Sequence, residues 1–213
     1  MIPLRTVQTA GGEVAVILRR SDRAVGYVKD GVLQTLIDAR GHNLAPHVTA
    51  AVDVLLQEKV RQALVLGYGG GAASTLLHRA GVDVFAVDCD PCAKPLAQLF
   101  FRAPPCLDVA VSDAAAYVER AAGASFDGVL IDFQDSFETP RAYLSQSFWR
   151  AVERVLRPRG MVIVNVTRWL HGGRDWGAFQ AALGLGGFDA VALSDEHGAG
   201  NRILVTARGA TAL

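Results

Sequence analysis

The sequence predicts an α/β chain built on a doubly wound, mostly parallel sheet, and three observations carry that prediction. Five short apolar runs alternate with helix-patterned stretches, the arrangement in which crossover helices cover both faces of parallel strands. The first run ends in Gly67, Gly69 and Gly71, a G-x-G-x-G segment that opens onto a helical pattern, where the backbone turns sharply and approaches a ligand closely. The last two strand-like runs are joined by the glycine-containing EHGAG, short enough for an antiparallel hairpin at the sheet edge.

The elements follow in chain order. Residues 13–19 (EVAVILR) and 24–28 (AVGYV) gather β-branched residues around the turn-like RSD, and KDGVLQTLID carries an Asp30-Gly31 turn signal, so residues 1–42 read as a small antiparallel β unit of about three strands. From residue 43 the period becomes helical: Leu44, Val48, Ala51, Val52 and Leu55 recur at spacings of three and four. The five buried strands are expected at 63–67, 83–87, 107–111, 127–132 and 160–166, and a helix near 174–184 precedes FDAVALSD and NRILVTAR. Residues 43–213 thus form one domain. Phe148 and Trp149 pack the helix before the fifth strand, and Arg150, Arg154, Arg157 and Arg159 suit its carboxyl end, where cations favour the dipole.

Bulk properties narrow the function classes. The chain has 213 residues, 51% hydrophobic and 20% charged, enough for an ample core. Its 21 basic residues balance 21 acidic ones, so no global positive field gathers nucleic acid or an anionic membrane. Cys89, Cys92 and Cys106 lack a second pair at zinc-site spacing, and we read them as reduced thiols in a cytoplasmic protein with no bound metal. The N-terminus has no apolar core of signal length, and no 18 apolar residues run uninterrupted.

The glycine loop gains meaning from the acids after it. Glycines alone fit a bare strand-to-helix turn. Asp88, however, closes the second strand 21 positions after Gly67, where a carboxylate accepts ribose hydroxyls. Asp90-Pro91 reads as the cap and first turn of the next helix. Asp113 follows the third run and suits either a helix N-cap or an adenine contact. Asp132 ends the fourth strand, with Asp135 three residues on in LIDFQDSFETP, at the carboxyl edge where open α/β sheets bind ligands. Such a rim repels a diphosphate and attracts a sulfonium or an amine. His47 and the segment TRWLHGGRDW (167–176) are further candidates for the same edge.

Taken in order, these segments resemble the spermidine synthase family, aminopropyltransferases on the class I AdoMet-dependent methyltransferase fold, over residues 25–166. YVKDGVLQTLID is similar to the family's D-G-x-x-Q segment, LVLGYGGGAAS to its glycine loop, VDCDP to V-E-x-D-P, VSDAAAYV to its adenine-side acid, FDGVLIDFQD to its strand-borne acid, and YLSQSFWRAVERVLRPRGMVIVNV to its closing helix and strand. Five parallel strands and a terminal hairpin suit this Rossmann-like fold better than a dehydrogenase domain. The resemblance implies Gln34 near the amino-acid part of the donor, Gly67, Gly69 and Gly71 in the nucleoside loop, Asp88 on the ribose, and Asp113 with Ala114 at the adenine. It also implies Asp132 as the acid beside the attacking amine, Asp135 as a second amine-binding carboxylate, and a homodimer.

Four departures bear on the reaction. Gly70 stands where the family has an aspartate contacting the amine end of a decarboxylated donor, Pro46-His47 replaces a tyrosine-histidine pair, DFQDS replaces the D-S-x-D-P gate, and the chain stops without the family's C-terminal extension. We therefore expect alkyl transfer from AdoMet or its decarboxylated form to a small amine or other small nucleophile, with methyl transfer from AdoMet ahead of aminopropyl transfer to putrescine. A non-catalytic nucleoside-binding module is the alternative from another class, and the intact Asp132 and Asp135 argue against it.

Overall fold

Alternating apolar residues near the N-terminus turn one face of three strands inward, a further strand pairs at their edge, and the result is a four-stranded antiparallel meander: β1 (Ile2–Thr9), β2 (Gly12–Arg19), β3 (Ala24–Lys29) and β4 (Val32–Ile37). The computed structural model describes residues 1–9, 11–134, 138–195 and 200–208. Asp30 and Gly31 both take positive φ, 48° and 79°, the conformation that matches a two-residue turn to strand twist. Sequence reading gave about three strands. The fourth, β1, is mostly exposed, so it presents no apolar alternation and owes its shape to pairing with β2. The meander's inner face, Val14, Val16, Tyr27 and Ile37, packs on Leu96 and Phe101.

Helix α1 (Pro46–Gln57) starts on a proline and buries Val48, Ala51, Val52 and Leu55, a position where proline sacrifices no hydrogen bond. Leu44, counted in the helical period, lies before the helix and stays exposed. The second sheet has seven strands: β5 (Gln62–Leu66), β6 (Asp83–Asp88), β7 (Asp108–Val111), β8 (Phe126–Ile131), β9 (Leu156–Val166), β10 (Phe188–Leu193) and β11 (Arg202–Arg208). Their order is β10-β11-β9-β8-β5-β6-β7, with β5 to β9 parallel and β10 and β11 forming an antiparallel hairpin. This is the α/β, class I methyltransferase-type sheet that the sequence predicts.

Between the strands run α2 (Ala72–Arg79), α3 (Ala93–Phe100), α4 (Ala114–Arg120), α5 (Gln146–Val155), α6 (Arg168–His171) and α7 (Trp176–Leu185). Fully buried Trp149 of α5 meets Phe148, Phe179 and Phe188 edge-on. Its indole N–H donates to the Tyr143 carbonyl at 2.9 Å, which fastens a 3-10 turn, Arg141–Leu144, to the same core. Two of the four arginines expected at the carboxyl end of that helix bond to other elements. Arg154 donates to the Val118, Glu119 and Ala121 carbonyls at the end of α4, and Arg157 to Asp127 and Gln62. No helix among the described residues is long and apolar enough to cross a membrane.

Because the chain winds outward from β5 through β6 to β7 and then returns to β8 on the other side of β5, the carboxyl ends of β5 and β8 diverge at a topological switch point. Ligand crevices open there.

Candidate active site

A cavity of about 800 Å³ occupies that crevice and extends under β4 of the meander, within the size range of small-molecule sites. Gly67, at φ +96°, closes β5 against β8: a Cβ on it would lie 2.7 Å from the Asp132 carbonyl carbon. Gly67 and Gly69 line the cavity. Gly71 does not line it; it caps α2 in a left-handed conformation and leaves space for the Tyr68 ring, 2.8 Å from where its Cβ would be. Tyr68 lines the cavity and is buried, and its hydroxyl has no hydrogen-bond partner among the described residues. Burial and the nearby Asp88 push that hydroxyl's pKa up to about 12, so it remains a proton donor.

Asp88 ends β6 and binds the loop as well as facing the cavity. Its Oδ2 accepts the Tyr68 and Gly69 amides at 2.9 and 2.8 Å, and its Oδ1 accepts the Asp90 amide at 2.9 Å. Since a carboxylate has about four acceptor sites, one remains on Oδ1 for an incoming donor. Asp90, read from sequence as a helix cap, does not cap α3, whose N-cap is Cys92. It is 2% exposed and ion-paired with Lys29 Nζ of β3 at 2.5 Å. Asp88, Cys89 and Asp90 bring donor atoms within 4.8 Å of one another, and both carboxylates are already engaged by the loop amides and by Lys29.

Asp113 caps α4, accepting the Ala116 amide at 2.8 Å, and lines the cavity together with Ala114. The cap and a cavity position coexist there. Gln34 reaches the cavity from β4. Its neighbour Thr35, which no sequence pattern marks, is buried and accepts the Gly70 amide at 3.3 Å. A Cβ on Gly70 would stand 2.8 Å from the Thr35 Cβ and Cγ2, so Thr35 occupies the volume a side chain at position 70 would need.

The other half of the cavity lies over β8, β9 and β11. Asp132 follows β8 and its amide donates to the Leu66 carbonyl at 2.8 Å. Its Oδ1 accepts from Asn165 Nδ2 at 2.7 Å, and Asn165 Oδ1 in turn accepts from Asn201 Nδ2 at 2.8 Å. Burial raises the Asp132 pKa to about 6, against the lowering effect of the Asn165 bond. Tyr143 donates to the Phe133 carbonyl at 2.9 Å, and burial raises its phenol far above its usual range. Arg141, Thr167, Arg168 and Trp169 line this half, with the Arg168 guanidinium 4.5 Å from the Trp169 ring centroid. His47 also lines the cavity, whereas His171 is not part of its lining and meets the Trp176 ring edge-on. Asp135 lies outside the described residues.

Sequence reasoning missed Thr35, Lys29, Asn165 and Asn201. Asn165 had a signal: it is the polar residue inside the apolar run MVIVNV, and a buried amide on a central strand demands a partner.

Comparison with known proteins agrees with this fold. A model described as a methyltransferase domain matches residues 64–164, just under half of the chain. The chain is 28% identical over 135 residues to a polyamine aminopropyltransferase from Chromobacterium violaceum, covering 61% of this chain and 50% of that one. It is 27% identical over 120 residues to putrescine N-methyltransferase 3 from Nicotiana tabacum, covering 50% and 31%. The chain thus spans half or less of the length of these relatives. Among solved structures, a probable spermidine synthase from Corynebacterium glutamicum superposes with a TM-score of 0.76 at 18% identity, covering 98% of this chain and 81% of that one.

Proposed function

The chain is spermidine synthase-like on the class I methyltransferase fold, and from that premise we propose that it transfers a methyl group from AdoMet to a small amine-bearing acceptor. The observation that carries the choice of donor is the packing of Thr35 into the volume beside Gly70. A decarboxylated donor ends in an ammonium and needs a carboxylate beside its tail; position 70 supplies none and has no room for one. The Gln34 amide, on the wall of the cavity, offers a donor suited to a tail that bears a carboxylate. Gly67, Gly69, Asp88, Asp113 and Ala114 would hold the nucleoside.

When bound, AdoMet supplies an electrophilic methyl on a sulfonium. The residues of this chain position the reactants, which is most of what an in-line displacement requires. The acceptor nitrogen uses its lone pair for the new N–C bond while the C–S pair returns to sulfur, and the surplus proton on nitrogen passes toward Asp132 or water. With a pKa of about 6, Asp132 is ionised at neutral pH. It orients the amine N–H and stabilises the cation that forms, rather than stripping an ammonium. Transfer is expected to fall as pH drops below about 6, where Asp132 takes up its proton.

Calorimetry with AdoMet, decarboxylated AdoMet, methylthioadenosine and NAD tests the reading. We expect AdoMet to bind about tenfold or more tightly than the decarboxylated form, about 1.4 kcal/mol. The reverse order would return the assignment to aminopropyl transfer, and no binding of any adenosyl-sulfur ligand would remove it.

A further inference from the structure

We propose that Asn165 and Asn201 are positioning residues, a two-amide relay that pins one oxygen of Asp132 and leaves the other facing the acceptor. The proposal rests on the transferase reading above, because it assigns a purpose to Asp132. Its geometry is independent of that reading. Asn165 is 2% exposed on β9, between Val164 and Val166, both fully buried; Asn201, 9% exposed, immediately precedes β11, whose Arg202 pairs with Val166. Apolar residues would pack these positions without the cost of burying two amides.

The polarity of the relay follows from its first member. An ionised carboxylate only accepts, so Asn165 must present its NH2 group to Asp132 Oδ1, at 2.7 Å. That choice turns the Asn165 carbonyl oxygen away, where it needs a donor, and the Asn201 NH2 group supplies it at 2.8 Å. Each bond polarises the next in the same sense; a flip of Asn165 breaks both bonds, and a flip of Asn201 breaks its own. Among the described residues Asp132 Oδ2 takes no hydrogen bond, and it is the oxygen left for an acceptor N–H. Among the described residues, His47 lines the same cavity and the Tyr143 phenol feels the Asp132 charge; that phenol stays protonated and is committed to the Phe133 carbonyl, so it cannot take over the relay's function. The Asn165 bond holds the Asp132 pKa down against burial, which keeps the carboxylate form that the relay recognises.

Carbon-13 NMR of aspartate-labelled protein reads the Asp132 carboxyl directly and needs no acceptor. The wild-type carboxyl is expected to titrate near 6. In Asn165→Leu, nearly the same shape without the amide, the midpoint should move about one pH unit or more higher; in Asn201→Ala it should move in the same direction by less. Melting temperature and AdoMet calorimetry run alongside. If Asn165→Leu fails to fold, Asn201→Ala, at the edge of the network, carries the test. An unchanged midpoint in the folded variants, or a larger effect of Asn201 than of Asn165, would overturn the relay. Failure of AdoMet to bind the wild type would instead strike the transferase reading, and the titration would still decide the relay.

Discussion

Thr35 and Gly70 show how one methyl-sized volume can bear on the choice of donor. With the Thr35 Cβ and Cγ2 only 2.8 Å from the place of a Cβ on residue 70, Gly70→Ala overpacks the loop, and we expect it to cost about 1–3 kcal/mol in urea denaturation. Pairing it with Thr35→Gly should restore most of that loss, and additive costs in the double variant would show that the two positions do not share the space. Asp132 gives a second residue-scale prediction, of opposite sign. Its folded pKa of about 6 lies above the ordinary value of 3.8, so its protonation favours the fold below pH 4, and that contribution is lost as pH rises through 6. Asp132→Asn is therefore expected to be more stable than wild type at pH 8, by at most about 3 kcal/mol, less where the cavity admits water. The gain should vanish near pH 4, and thermal melts at the two pH values check this. At this scale the carboxylates were legible in the sequence because strand ends and the glycine loop announce them. Thr35 and Asn201 were not, since their significance is what they touch across 35 and 36 residues of chain.

At the scale of elements, the meander and the parallel sheet are clasped by one buried ion pair. Lys29 lies at the end of β3 and Asp90 just beyond β6, with side chains 18% and 2% exposed. Burial, the largest single influence, would lower the Lys29 pKa, but the bond to Asp90 and the neighbouring acidic groups together outweigh it, and the net shift is upward. Removing the cation strands a buried carboxylate, so Lys29→Met should cost about 3–5 kcal/mol, while Lys29→Met with Asp90→Asn should recover much of it. Equal losses in the single and double variants would mean that the lysine stem, not its charge, matters. The parallel strands, their order of succession and the closing hairpin were all readable, because buried strands are apolar runs and helices repeat every 3.6 residues. The first strand was not, because an exposed edge strand carries no such imprint. Lys29 and Asp90 were equally hidden: Asp90-Pro91 has the local look of a helix cap, and the tertiary partner 61 residues away overrode it.

At the scale of the molecule, the cavity takes walls from both sheets: Gln34 and Thr35 come from the meander, and Gly67, Asp88, Asp113 and Asp132 from the carboxyl edge of the parallel sheet. A ligand held there touches both, so its binding free energy should be felt by both. At a concentration about 100 times its dissociation constant, S-adenosylhomocysteine, the product of methyl transfer from AdoMet, should add about 2.7 kcal/mol to the stability of the whole chain. Two consequences distinguish a shared site from one confined to the larger sheet. Differential scanning calorimetry should show one transition that moves upward as a unit, and amide exchange should slow in β4 as well as in the glycine loop. The meander is seated on α3 through Tyr27 and Phe101, which couples it to the larger core even without ligand, so the exchange measurement is the more discriminating. Protection that rises around Gly67 and Asp88 but not at Gln34 and Thr35 would mean that β4 does not grip the donor. The assignment of donor from Thr35 would then lose its basis.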